Sequence, residues 1–363
     1  METNDSEIKE IPIIIDPLRL RAQEIASSME DHLLASQVLI NGIDGRGNLP
    51  AYITQMLKSI PTGGVMLFRY NLNTGNEEIK SLISQTVSLI TENSLVPPFI
   101  AVDHEGNTVN RFLPGVADLP DASTYWNIFK EEGREAALSK IEEDSFKAAV
   151  KICELGVNMN FAPVAEYLND DNREFLVRRS YGSDPFFTSQ AAQAFLRGMQ
   201  KAGILCVVKH FPGTAGKDPH YWASVIDKED DELDMFIFPF IYLINYGARA
   251  VMASHTLIPS LDNRIASLSP VIMQDLLRND FGFDGIIISD DFSMAAAGDL
   301  NQYEAAVQSI AAGADMILVW PPDIERTHSA ILTALEQGTL ERERLLNAVQ
   351  RIIFEKLRMG LLE

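Results

Sequence analysis

The stretch SPVIMQDLLRNDFGFDGIIISDD, residues 269–291, holds one complete structural unit. Ser-Pro opens a helical segment over 269–282 and Gly282 closes it. GIIIS (285–289) follows, a run of large apolar residues without polar alternation, which is how a strand buried on both faces reads. Two carboxylates, Asp290 and Asp291, come next. A chain that repeats helix, buried strand and polar strand end is an α/β protein on a parallel sheet, with its chemistry at the C-terminal ends of the strands.

The unit repeats. Seven further short apolar runs recur, most of them rich in β-branched or large apolar residues and several with little polar alternation: QVLINGI (37–43), GGVMLF (63–68), PPFIAV (97–102), VNMNFAPV (157–164), ILCVVK (204–209), ARAVMAS (248–254) and MILVW (316–320). Amphipathic stretches separate them. NEEIKSLISQTVSLITEN (76–93) sets Ile79, Leu82, Ile83, Val87 and Ile90 on one helical stripe, NQYEAAVQSIAAGA (301–314) also ends in Gly, and 323–338 and 340–360 close the chain with helix. Eight strands alternating with helices predict a single (β/α)8 barrel, a fold that typically takes ~250 residues and accommodates more; the chain has 363. An open doubly wound sheet would want a glycine fingerprint after its first strand, and Gly42, Gly45 and Gly47 have the wrong spacing. No linker or low-complexity segment divides the chain. The expected organisation is an N-terminal extension with a helix (1–36) followed by the barrel domain (37–363).

A net charge of −21 repels phosphate backbones and anionic lipid, so neither nucleic acid nor a membrane surface is an expected partner. The two cysteines, Cys153 and Cys206, form no zinc or disulfide spacing. The start, METNDSEIKE, lacks the basic and apolar regions of a signal peptide, and no apolar run is long enough to span a membrane. A cytoplasmic setting fits best.

Polar residues cluster where the barrel would put its chemistry. The first three runs meet Asp44, Arg69 and Asp103, the fourth passes through Asn160, and the fifth gives Lys209 and His210. His255 follows the sixth and Asp290 and Asp291 the seventh. Four of the six histidines, His104, His210, His220 and His255, fall at or just past predicted strand ends, which marks an enzyme-like pocket. His210, Asp218, His220 and His255 are possible metal ligands, but no H-E-x-x-H or C-x-x-C spacing supports them. FPGTAGKD fails as a phosphate loop, because only two residues separate Gly213 from Gly216 and Asp218 follows Lys217. No G-x-S-x-G is present. Carboxylate and imidazole chemistry remains. Asp290, on the rim of a rigid strand, can attack an electrophilic sugar carbon; Asp291, pointing the other way, is expected to cap backbone or make a structural hydrogen bond.

At this point the motifs resemble glycoside hydrolase family 3, in particular the short single-domain bacterial β-N-acetylhexosaminidases. GGVMLFRYN (63–71), DHEGNTVNRF (103–112), GVNMNFAPV (156–164), RSYGSDP (179–185), KHFPG (209–213) and 267–294 are similar to the family's ordered motifs over roughly residues 37–320. The resemblance implies Asp290 as nucleophile and Asp103, Arg111, Arg179, Lys209 and His210 as a clamp on the terminal sugar. It implies His220, oriented by Asp218, as general acid/base. It further implies retaining exo-hydrolysis of terminal β-linked N-acetylglucosamine, on a GlcNAc-terminated glycoside or muropeptide from cell-wall turnover, with no metal or organic cofactor. A β-glucosidase, a phosphorylase of the same family and a non-catalytic sugar-binding barrel are the alternatives.

The chain departs from the family pattern in its fifth-strand loop. Thr214 replaces the family's His after FPG, Pro219 replaces Ser between Asp218 and His220, and the segment before Asp218 is two residues shorter. Asn107 and Thr108 replace Gly and Arg. Glu105, two residues past Asp103, is an alternative acid by position, while the resemblance implies a structural role for it; Arg178 is expected to be an ion-pair partner beside Arg179. Tyr221 and Trp222, directly after His220, either stack on a sugar or anchor the loop.

Overall fold

The computed structural model describes residues 16–294, 297–298 and 301–363. The acidic start and the first fifteen residues of the expected extension therefore lie outside the described residues. Each of the eight apolar runs supplies one strand of a closed parallel barrel: β1 Leu39–Gly42, β2 Gly64–Leu67, β3 Phe99–Val102, β4 Met159–Asn160, β5 Leu205–Phe211, β6 Ala250–Ala253, β7 Ile286–Ser289 and β8 Met316–Val319. Neighbours in the barrel are neighbours in sequence, and β8 closes it against β1 with Leu39 opposite Ile317 and Asn41 opposite Val319. This is the (β/α)8 barrel. The strands are buried almost without exception, the polar Asn41 and Asn160 included.

The helices form where the stripes predicted them. Asn76–Ser94 buries Ile79, Leu82, Ile83 and Ile90, with Val87 partly covered. The helix Gln302–Ala312 starts on Asn301, whose side chain accepts from the Tyr303 and Glu304 amides. It stops at Gly313, where φ is +132° and a Cβ would meet Met273 at 3.1 Å. The segment after Ser-Pro forms a helix at Val271–Asp280, but wound in π rather than α fashion. Its ten residues are too few for the apolar pattern to distinguish the two pitches.

Helices Pro17–Ser27 and Asp31–Gln37 precede β1, and their Ala22, Ala26, Leu34 and Ala35 belong to the same buried cluster as the strands. Arg342 reaches back from the C-terminal helix Arg342–Arg358 to Asp31 at 2.7 Å. No helix among the described residues is long and apolar enough to cross a membrane.

Candidate active site

The strand ends open on a cavity of about 730 Å³. Asp103, Arg111, Arg179, Lys209, His210, Asp218, His220 and Asp290 all line it, so the fold brings the residues that the resemblance singles out into one space.

The floor is a charged lattice. β5 carries Lys209 into the cavity almost fully buried. Its Nζ donates to Asp103 Oδ1 at 2.9 Å and lies 2.7 Å from Glu105 Oε1. Arg111 Nη2 donates to the other oxygen of Asp103 at 2.7 Å. Arg179 clamps Glu105 with two bonds of 2.8 Å, from Nε to Oε2 and from Nη2 to Oε1, and its guanidinium covers the ring of Phe175 at 4.4 Å. Burial alone would raise both carboxyl pKa values, but the neighbouring cations outweigh it. Lys209 and Arg111 hold Asp103 below its ordinary value, and Arg179 and Lys209 hold Glu105 far below its own. In return, burial would push the Lys209 and Arg179 values down, and the carboxylates carry both up instead. All of these groups are ionised at neutral pH, forming rigid, paired donors and acceptors of the kind that sugar hydroxyls match. Arg111 Nε is buried without a hydrogen-bond partner among the described residues, which leaves one donor unused.

Glu166 holds the next layer. It is buried two residues past the fourth apolar run, and it gathers four donors from the end of β5 and the turn beyond. His210 Nδ1 lies 2.7 Å from Oε1 and the His210 amide 3.3 Å away, while the Thr214 amide and hydroxyl each donate to Oε2 at 2.6 Å. Burial opposes ionisation of Glu166, but the hydrogen bonds from His210 and Thr214 lower its pKa. A carboxylate on Nδ1 sets the His210 tautomer and leaves Nε2 as the ring's other polar atom. Sequence reasoning stopped at Asn160 on this strand and missed Glu166. Asn160 is instead a strut, bonding the backbone amide and carbonyl of His104 at 2.9 Å each. The available signal was a carboxylate two residues after FAPV.

The Gly-rich turn then leaves the barrel. Gly213 has φ +137°, and a Cβ there would lie 3.0 Å from Phe236. The turn is tied down on both legs: the Gly216 amide donates to Asp171 O at 2.6 Å on the way out, and Ser224 Oγ meets Thr256 Oγ1 at 2.8 Å on the return. Between these ties the tip carries Asp218 and His220 back over the cavity. Asp218 Oδ1 lies 2.7 Å from His220 Nδ1 and accepts from the His220 amide at 3.0 Å. His220 is exposed, and it lines the same cavity as Asp290.

Asp290 is half-buried at the end of β7, and its Oδ1 accepts from the Asp291 amide at 2.9 Å. Asp291 caps Ser293 at 2.8 Å and accepts from the Trp320 indole N–H, in line with the structural hydrogen bond expected of it; it also borders the cavity. Arg178 pairs with Asp121 at 2.6 Å, separate from the Arg179 lattice.

The histidine coincidence is half corrected. His104 is fully buried against the edge of Phe112, and burial pushes its pKa down to about 4. His255 sits behind the site, between Ser267 Oγ at 2.7 Å and the Asp291 carbonyl at 2.9 Å, and burial lowers its pKa as well. Neither borders the cavity. Apolar strands carry histidines at their ends for packing as well as for chemistry, so the count overstated the site. Among the described residues no three His, Cys, Asp or Glu converge as a metal site.

With this geometry in place, the chain matches the family described as "Glycosyl hydrolase family 3 N terminal domain" over residues 32–354. It is 35% identical over 281 residues to a beta-hexosaminidase of Methylococcus capsulatus, covering 76% of this chain and 80% of that one. Among solved structures, it is similar to NagZ from Neisseria gonorrhoeae in complex with N-trifluoroacetyl-D-glucosamine. Identity there is 29% and the TM-score 0.74, over 87% of this chain and 89% of that one. A family 3 beta-N-acetylglucosaminidase from Paenibacillus sp. str. FPU-7 gives 28% identity and a TM-score of 0.85, over 92% of this chain and 63% of that one.

Proposed function

The chain belongs to glycosyl hydrolase family 3 and is a glycoside hydrolase, and from that premise we propose that it removes terminal β-linked N-acetylglucosamine with retention of configuration. Asp290 is the nucleophile and His220 the general acid/base. Asp103, Arg111, Arg179, Lys209 and His210 hold the terminal sugar's hydroxyls. The observation that carries this reading is the 2.7 Å contact of Asp218 with His220 Nδ1, in the cavity that Asp290 also lines. With Nδ1 held by a carboxylate, Nε2 is the nitrogen free to exchange a proton with substrate.

The reaction then runs in two displacements. An Asp290 oxygen forms a bond to C1 as the C1–O bond to the leaving group breaks, and His220 Nε2 transfers its proton to the departing oxygen. Water attacks C1 next, the now neutral His220 takes its proton, and the Asp290 carboxylate departs. Asp218 stabilises the imidazolium present before the first step and restored after the second. We assign the natural substrate to GlcNAc-terminated cell-wall fragments turned over in the cytoplasm, an assignment supported by the family likeness.

The test is hydrolysis of an aryl β-N-acetylglucosaminide. Wild type turns it over faster than the aryl β-glucoside, and Asp290→Asn abolishes turnover. His220→Ala slows a substrate with a poor leaving group about 10²–10⁴-fold. Added phosphate leaves the product as free sugar rather than glycosyl phosphate. Activity surviving in Asp290→Asn sinks the assignment, as does a wild type that binds N-acetylglucosamine without turnover.

A further inference from the structure

Tyr221 and Trp222 follow His220 directly, and burial separates the two things they can do. An aromatic that anchors a loop is buried against the scaffold; Tyr221 is 75% exposed and Trp222 56%. They differ in what they border. Trp222 does not line the cavity, and Lys217 Nζ lies 5.0 Å from its ring centre. Tyr221 lines the cavity, its ring 6.4 Å from the His220 imidazole and inclined 48° to it. A tight turn fixes this order, since the Tyr221 and Trp222 amides both donate to Asp218 O, at 3.0 and 3.1 Å. The carboxylate that orients His220 therefore belongs to the residue whose carbonyl fixes Tyr221.

We propose that Tyr221 is the platform of a binding site for the leaving group, and that it takes a ring with an apolar face, a second pyranose or an aryl group, by stacking. This rests on the proposed role of His220. If His220 delivers its proton to the glycosidic oxygen, whatever that oxygen carries lies outside the imidazole, and the cavity-lining aromatic next to it on the same tip is Tyr221. Exposed aromatic faces take sugar and aryl rings because both present flat C–H or π surfaces to a polarizable ring. A leaving group without a ring gains nothing there.

The experiment uses two substrates whose leaving groups are both alkoxides: the β-linked disaccharide of N-acetylglucosamine and methyl β-N-acetylglucosaminide. The readout is the ratio of their kcat/KM values. Tyr221→Ala lowers that ratio about tenfold, Tyr221→Phe retains most of it, and Trp222→Ala leaves it as in wild type. If Tyr221 only positions His220, both substrates lose the same factor, the ratio stands still and the platform is refuted. Should wild type turn over neither sugar, the proposed function fails, and calorimetric binding of the same two ligands still decides the platform. A disaccharide preference lost in Tyr221→Ala upholds it, and equal affinities in wild type overturn it.

Discussion

Glu105 is where one charge is felt by two buried cations. It binds Arg179 through two bonds of 2.8 Å and stands 2.7 Å from Lys209. Replacing it with Gln keeps the shape and removes the charge, leaving both cations buried with less compensation. Loss of one member of a buried ion network costs about 3–5 kcal/mol. Glu105→Gln therefore lowers unfolding free energy by that order in a denaturant titration and, with the proposed sugar clamp out of register, raises KM. The neighbouring arginine makes the opposite prediction. Arg178 meets Asp121 with most of its side chain in solvent, and Arg178→Ala costs about 1 kcal/mol or less. The placement of Asp103, Lys209, His210 and Asp290 at the barrel mouth was legible in the sequence because each stands at the C-terminal end of an apolar run, although His104 and His255 show that such a position does not by itself put a side chain in the cavity. Glu166 was not legible, because irregular chain separates it from the end of β4 and its partners are far along the sequence.

The element on which the proposed acid/base depends is the excursion after β5. Its base is held by Glu166 through His210 and Thr214, and its tip bears Asp218 and His220. Both Glu166 oxygens accept from two donors, so an amide at this position must turn its NH₂ toward another donor. Glu166→Gln is expected to cost about 2–4 kcal/mol and to lower kcat more than a uniform loss of binding would. The accompanying sign is a His220 that no longer sits reproducibly over C1. Thr214→Val, which removes only the hydroxyl bond of 2.6 Å, is the milder variant, at about 1–2 kcal/mol. A Glu166→Gln enzyme with wild-type kcat would show that the base of the loop does not govern its tip. The sequence indicated that this segment leaves and returns, through its glycines and the Asp218–His220 spacing. What ties its legs down was not legible, since the Gly216–Asp171 and Ser224–Thr256 contacts join residues 45 and 32 positions apart.

At the scale of the whole molecule, eight mostly apolar runs alternating with helical stretches made the barrel readable, because strands buried on both faces call for a parallel sheet covered by helices. The far end of the molecule was opaque. Lys356, in the stretch FEKLRMG, looks like a solvent-facing helix residue, yet its side chain is fully buried. Nζ donates to Gln37 Oε1 at 3.1 Å and lies 5.0 Å from the Phe99 ring, and among the described residues no carboxylate is bonded to it. Burial pushes its pKa down to about 7. The consequence for stability has a definite sign. Between about pH 7 and the ordinary lysine value near 10, the unfolded chain holds a proton that the folded chain has released, so stability rises with pH across that window. The penalty for burying the charge is complete below about pH 7 and is gone above the ordinary value. Lys356→Met removes the titration and leaves Gln37 short of one donor, a cost that does not vary with pH. The difference in unfolding free energy between variant and wild type therefore changes with pH: the variant gains on wild type on the order of a few kcal/mol between about pH 9 and about pH 6. Denaturant titrations of both proteins at those two pH values give the difference directly. Parallel profiles would mean that Lys356 keeps its proton in the fold, held by its contacts with Gln37 and the face of Phe99.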